Sequence, residues 1–195
     1  MALILASTSS IRQQMLAAAD VPFAAMAPEV DEDSIKRGFA GDDASLARTL
    51  AEAKAVAVSK RVSAGDWVIG SDSVVSVKGR RFSKPKDRGD ALEHLRSFRG
   101  NAMNLTSAVA LARNGRCEWS FPDQAGLYVR ELSDRFMEEY LDAEWPEVGY
   151  TVGVFRLEGR GVQLFGRIEG DHFPILGMPL LPLLGALRER GVIDS

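Results

Sequence analysis

Val68-Ile69-Gly70-Ser71-Asp72-Ser73-Val74-Val75 holds the carboxylate on which the reading of this chain turns. Val68 and Ile69 have the character of a buried strand end, and Val74, Val75 and Val77 resume a β pattern after a short polar break. Asp72 sits in that break between two serines. A lone carboxylate between apolar runs is poorly solvated unless something pairs with it. Either Asp72 closes a turn, which this stretch taken alone favours, or it partners a divalent cation and a water that attacks a phosphate.

Composition narrows the choice of function. At 195 residues the chain suits one domain, 1–195, with a sizeable core. Hydrophobic residues make up 46% and charged residues 26%, the balance of a water-soluble globular protein. No apolar run approaches the ~20 residues of a membrane-spanning helix, so no membrane partner is expected. Met1 to Ser7 lacks a basic start and enters its apolar run at once, as a first strand does and a signal peptide does not. Cys117 is the only cysteine, which excludes an internal disulfide and makes a cytoplasmic address the expectation. A net charge of −3 argues against a long nucleic acid as partner. A small phosphorylated ligand needs only a few local cations and stays open.

Around Asp72, the chain alternates strands and helices early and forms hairpins later. Leu3–Ala6 reads as a strand, Ser7-Thr8-Ser9-Ser10 as a hydroxyl-rich cap, and Ile11–Ala19 as a helix with Ile11, Met15 and Ala18 on one face. A strand, a hydroxyl loop and a helix N-terminus present free backbone N–H groups to an anion. Arg12, in the first turn, opposes the helix dipole, so it is either a phosphate ligand or a solvated arginine. Val21–Ala27 is expected as a second strand ended by Pro28. The acidic run Glu29 to Asp33 is a solvated loop, a helix start or a source of hard-cation ligands. Pro28 disfavours an aspartate nucleophile directly after a buried strand.

Asp42 to Val62 reads as a long helix capped by Asp42 or Asp43, and Lys54 within it would ordinarily be solvated. Lys78 to Arg81 suggests a hairpin turn, and Pro85 biases Lys84 towards an extended backbone in a loop. A helix is expected from Asp87 to Phe98, a strand from Leu105 to Ala112, an Asn114-Gly115 turn and a returning strand from Arg116 to Phe121. Tyr128–Leu132 is another strand candidate, and Ser133 caps a helix to Asp142. Val152–Leu157 and Val162–Ile168 read as two strands joined through Glu158-Gly159-Arg160-Gly161. Leu180–Arg190 is a helix opened by Pro179 and closed by Gly191. His94 on a helix and His172 in a loop read as structural or solvated, and there is no Cys/His cluster of zinc spacing. The expected fold is α/β, with a mixed, elongated central sheet flanked by helices and two lobes around a cleft.

Taken in order, these segments resemble the Maf-type nucleoside triphosphate pyrophosphatases. Leu3-Ile-Leu-Ala-Ser-Thr-Ser-Ser-Ile-Arg12 is similar to the family's opening Leu-Ile-Leu-Ala-Ser-x-Ser-Pro-Arg-Arg. Val30-Asp31-Glu32, Leu50-Ala-Glu-Ala-Lys54-Ala55 and the Asp72 stretch follow, then Ser83-Lys84-Pro85 for the family's Gly-Lys-Pro. Ile168-Glu-Gly170 and Ile175-Leu-Gly-Met-Pro-Leu180 complete the set. Each piece is weak alone; the ordered set, from first strand to last helix, is specific.

The resemblance implies hydrolysis of a nucleoside triphosphate between the α and β phosphates, giving a monophosphate and pyrophosphate, with Mg²⁺ or Mn²⁺. It implies Asp72 as general base, Glu32 and Asp72 as metal ligands, and Ser9, Arg12, Lys54 and Lys84 on the triphosphate. It also implies a homodimer. Such a cationic cradle suits a reaction driven by positioning and charge. Departures from the family pattern fall at Ser10, Ile11, Ser71, Ser83, Met103 and Glu158. Ile11 and Glu158 are similar to the branch that prefers 7-methyl-GTP, while Ser73, a third specificity position, favours neither branch. A glutamate can accept from guanine N–H groups and attracts a methylated, cationic purine; Glu158 could equally end a hairpin without touching a ligand. Two other functions compete: a catalytically inactive nucleotide-binding regulator of cell division, and a plain phosphatase releasing orthophosphate first.

Overall fold

The computed structural model describes residues 1–194. It opens with strand β1 (Leu3–Ala6), helix α1 (Ser10–Ala18) and a two-residue strand β2 (Ala24–Ala25). A short helix α2 (Glu32–Lys36) and a long α3 (Asp43–Ser59) precede β3 (Trp67–Val77) and β4 (Arg80–Phe82). Then come α4 (Arg88–Phe98), β5 (Ala102–Arg113), β6 (Arg116–Val129) and α5 (Asp134–Glu144). Two 3-10 turns, Glu147–Tyr150 and Arg160–Leu164, lead to β7 (Phe165–Glu169), the short α6 (His172–Ile175) and α7 (Leu180–Glu189).

The strands form one mixed sheet in the order β2-β1-β3-β5-β6-β7, with β4 also on β3. β1 runs parallel to β2 and β3, and the remaining pairs are antiparallel. The pairing of β3 decides where a ligand can enter. β5 accompanies it from Val68 to Val77. On its other edge β1 pairs only as far as Gly70, and β4 only from Val75. Ser71 to Val74 therefore have a free edge between the end of one neighbour and the start of the other. The expected break at Asp72 is absent: β3 is continuous, and Asp72 pairs in register with Ala108 of β5. Asp72 closes no turn.

Two faces of the sheet are covered at the β1 end. Leu5, Leu16, Ile69, Leu111, Leu183 and Leu187 pack α1 and α7 on one face. Ile4, Leu50, Val68, Val74, Ala108 and Ala110 pack α3 on the other. The far lobe buries Leu95, Phe98, Leu127, Met137, Tyr140 and Leu141 between α4, α5 and the distal strands. Gly70 lets α3 lie directly on β3, because a Cβ there would run into the Ala51 carbonyl oxygen and lie 2.6 Å from the Ala55 nitrogen. This close approach brings Lys54 to the free edge.

Local signals explain most element ends. Asp42, Asp87 and Ser133 accept hydrogen bonds from Ser45, Asp90 and Phe136 N–H at the starts of α3, α4 and α5. Lys78-Gly79 and Asn114-Gly115 turn with all four φ angles between 51° and 77°, as two-residue hairpins require. Other expectations need correction. The Val21–Ala27 strand shrinks to Ala24–Ala25, since Pro22 has no N–H to pair. α3 ends at Ser59, short of Val62. Tyr128–Leu132 is no separate strand: β6 runs on through Pro122, where β7 does not reach. Val152–Leu157 is irregular and Val162–Leu164 helical, leaving β7 to begin at Phe165. His172 opens α6 instead of lying in a loop.

Candidate active site

The gap beside β3 opens into a cleft of about 640 Å³. It is lined by Ser9, Ile11, Arg12, Glu32, Lys54, Asp72, Ser73, Lys84 and Glu158, so every candidate catalytic, binding, specificity and metal residue reaches one cavity, while Ser10, Ser71 and Met103 do not line it. They come from α1, α2, α3, β3 and two loops, which no short-range pattern could have joined.

At the floor, Lys54 is 7% exposed and Asp72 6% exposed. Lys54 Nζ lies 2.5 Å from Asp72 Oδ1 and 2.8 Å from Glu32 Oε1. Lys36, one helical turn after Glu32, contacts Glu32 Oε2 at 2.9 Å. The solvated lysine expected of an alanine-rich helix is thus a buried counter-ion to two carboxylates, as burial of a charge demands. Burial raises the Glu32 pKa, but the attraction of Lys54 and the hydrogen bonds of Lys54 and Lys36 prevail and hold it at about 2. Lys36 is raised by the same contacts, against its desolvation.

One wall is built by α1 and the turn before α7. Ser9 occupies the N-cap position of α1 and lines the cleft, yet its side chain makes no cap bond to the first helical N–H groups. Arg12 donates from Nε to the Gly177 carbonyl at 2.9 Å and from Nη2 to Ser73 Oγ at 3.2 Å. Burial lowers the Arg12 pKa, opposed by the charges of Asp72 and Glu32. Ser71 also donates to the Gly177 carbonyl, at 2.9 Å, and Ser107 donates to the Pro174 carbonyl while sharing a 2.7 Å bond with Ser73. Gly177 has a φ of +107°, open to glycine alone at no strain. This serine net fixes Arg12, and of its members Ser71 and Ser73 stood out in the sequence. Ser107 became identifiable only through its register opposite Ser73.

The cleft lining also includes Lys84 and Glu158, both exposed. Lys84 follows β4 next to buried Pro85, in a loop as its sequence predicted. Glu158 stands in a turn of the irregular 151–159 segment, not at a hairpin end. Tyr150 and Arg156 also line the cleft and had drawn no attention in the sequence, and Leu157 had stood there only as the end of an expected strand. Among the described residues no group of three or more His, Cys, Asp and Glu gathers as a metal cage. The acidic donors on the floor are Glu32 and Asp72, a pair of hard oxygen ligands of the kind Mg²⁺ uses when phosphate oxygens and waters complete its shell.

A family model described as Maf-like protein matches residues 2–190. The 7-methyl-GTP pyrophosphatase of Rhizobium meliloti is 44% identical over 196 residues, covering 99% of this chain and 98% of that one. The nucleoside triphosphate pyrophosphatase of Nitrobacter hamburgensis is 46% identical over 193 residues, covering 98% and 95%. Among solved structures, the Staphylococcus aureus Ham1 protein shares the fold at a TM-score of 0.50 and 14% identity, over 98% of this chain and 100% of that one. With a family match from the first strand to the end of the last helix and relatives aligned along almost their full length, the chain belongs to the Maf-like protein family.

Proposed function

We propose that this protein is a nucleoside triphosphate pyrophosphatase, cleaving the α–β phosphoanhydride bond to release a nucleoside monophosphate and pyrophosphate. The observation that carries it is Lys54 seated between Asp72 and Glu32 at the free edge of β3, facing the α1 N-terminus across one cleft. A triphosphate brings close to four negative charges, and Arg12, Lys54, Lys36 and Lys84 supply cations around the place it would occupy. Ser9 and the first N–H groups of α1 add neutral donors.

Glu32 and Asp72 would hold a Mg²⁺ or Mn²⁺ ion, which supplies neutralisation of the phosphates and a more acidic water. Asp72 takes the proton of the attacking water as the α–β bridge breaks. Glu32, ionised throughout the neutral range, keeps Lys54 aligned with Asp72. The names of the relatives support this over an inactive regulator. The cleft volume suits a nucleotide-sized ligand.

For the base, Glu158 on the cleft wall supports a guanine, with 7-methyl-GTP the substrate we favour. Its carboxylate can accept from guanine N–H groups and attract a cationic ring, whereas a glutamine there would suit a pyrimidine edge. Among the described residues no helix is long and apolar enough to cross a membrane. A cytoplasmic, homodimeric enzyme is part of the same proposal.

The test is a panel of natural and methylated nucleoside triphosphates with Mg²⁺ or Mn²⁺, scored for the first product. Pyrophosphate supports the reading, orthophosphate would make the protein a plain phosphatase, and tight binding without turnover would make it a regulator.

A further inference from the structure

Glu144 closes α5 with a side chain 6% exposed, far from the Asp72 floor in sequence. A buried carboxylate needs partners, and this one finds all of them on the turn that carries Glu158. Glu144 Oε2 accepts from Arg156 Nη2 at 3.0 Å and Nε at 3.3 Å, and Oε1 accepts from the Arg160 backbone N–H at 3.2 Å. The two anchored residues bracket Glu158, with one residue between it and each anchor. The turn is closed on itself as well. Gly159 N–H donates to the Arg156 carbonyl at 3.2 Å. A Cβ at Gly161 would collide with that carbonyl oxygen and lie 2.7 Å from the Arg156 nitrogen.

The approach to this turn is equally constrained. Val154 has a φ of +54°, an uncommon conformation for a β-branched residue. Its carbonyl accepts from the Tyr140 hydroxyl at 3.0 Å, and Tyr140, also on α5, is 1% exposed. Desolvation raises the Tyr140 pKa, so this donor keeps its proton. Imposed backbone conformations of this kind point to function.

We propose that Glu144 is a positioning residue for base selection: from the core of α5 it clamps Arg156 and Arg160 and thereby sets where Glu158 stands in the cleft. The clamp rests on the pyrophosphatase reading, because it assigns the Glu158 wall to the base. It also neutralises Arg156, a cation on that wall whose charge would otherwise disfavour a methylated purine. Glu144 makes no hydrogen bond or ion pair with Ser9, Arg12, Lys36, Lys54 or Lys84, so grip on the phosphates is independent of it.

The experiment compares wild type with Glu144→Ala and Glu144→Gln on a preferred and a poor nucleotide, with inorganic tripolyphosphate as a base-free competitive inhibitor. In Glu144→Ala the ratio of kcat/KM between the two nucleotides should fall by at least about tenfold, the scale of a small misplacement in a site. The inhibition constant of tripolyphosphate should stay within about twofold of wild type, since phosphate binding is untouched. Glu144→Gln keeps an acceptor oxygen for one of the two anchors and should recover part of the ratio; it also serves if the alanine variant fails to fold. An unchanged ratio, or a loss shared equally by nucleotides and tripolyphosphate, would overturn the clamp. If wild type turns over no nucleotide, the pyrophosphatase reading fails separately. The clamp is then read from the calorimetric affinities of 7-methyl-GMP and UMP, whose ratio must still collapse in Glu144→Ala.

Discussion

Lys54 and Asp72 meet at 2.5 Å, helix side chain to strand side chain, and both are almost wholly buried. Their union converts an apparent liability, a carboxylate in the middle of a central strand, into the floor of a cleft. Glu32 completes it as a second, half-exposed acceptor for the same ammonium.

Replacing Lys54 by Met leaves Asp72 buried without its cation. Breaking a buried pair in this way costs about 3–5 kcal/mol, and a loss of that size is expected at neutral pH. Millimolar Mg²⁺ should then raise the melting temperature of the variant more than that of wild type, because Glu32 and Asp72 are released to bind it. Thermal unfolding with and without Mg²⁺ reads this directly, and equal shifts would count against the metal seat.

Glu32 gives the fold an acid limit. Its pKa in the folded state, about 2, lies below the ordinary 4.5, so its contribution to stability is complete above pH 4.5. That contribution is lost as the pH falls from there towards 2. Wild type should therefore lose melting temperature more steeply across this window than Glu32→Gln does. Parallel pH profiles would show that the contacts with Lys54 and Lys36 do not act on Glu32 as described.

Gly177 couples the α1 wall to β3. An alanine there would have to adopt a φ of +107°, with its Cβ 3.4 Å from Arg12 Nε and 3.5 Å from Ser73 Oγ. Such strain costs of order 1–3 kcal/mol. Because the Gly177 carbonyl holds Arg12, Gly177→Ala should raise KM for a triphosphate severalfold with a smaller change in kcat. A lowered melting temperature with unchanged KM would separate Gly177 from substrate binding.

Much of this was legible in the sequence because it rests on local chemistry. The caps at Asp42 and Ser133 and the Asn114-Gly115 turn need only neighbours a few residues away. The motif segments likewise named residues that meet in one cleft. What was not legible depends on distant partners. Taken on its own stretch, Asp72 read as a turn residue because the lysine that stabilises it in a strand comes from α3, brought close by the absence of a side chain at Gly70. Val152–Leu157 had the composition of a strand, yet Tyr140 and Glu144 tie this region to α5 and the sheet does not claim it. The serine net depends on the register between β3 and β5, which no periodicity contains.

The central claim is that Asp72 activates a water for cleavage between the α and β phosphates. It is tested most directly by measuring pyrophosphate release from the preferred nucleoside triphosphate with wild type and Asp72→Asn side by side, with circular dichroism on both. Lys54 keeps Glu32 as a partner in the variant, so the fold should persist. The account predicts stoichiometric pyrophosphate and monophosphate from wild type and a fall in kcat of about 10²–10⁴ in Asp72→Asn, the range general base catalysis supplies. Near-full turnover by a folded Asp72→Asn protein would contradict it.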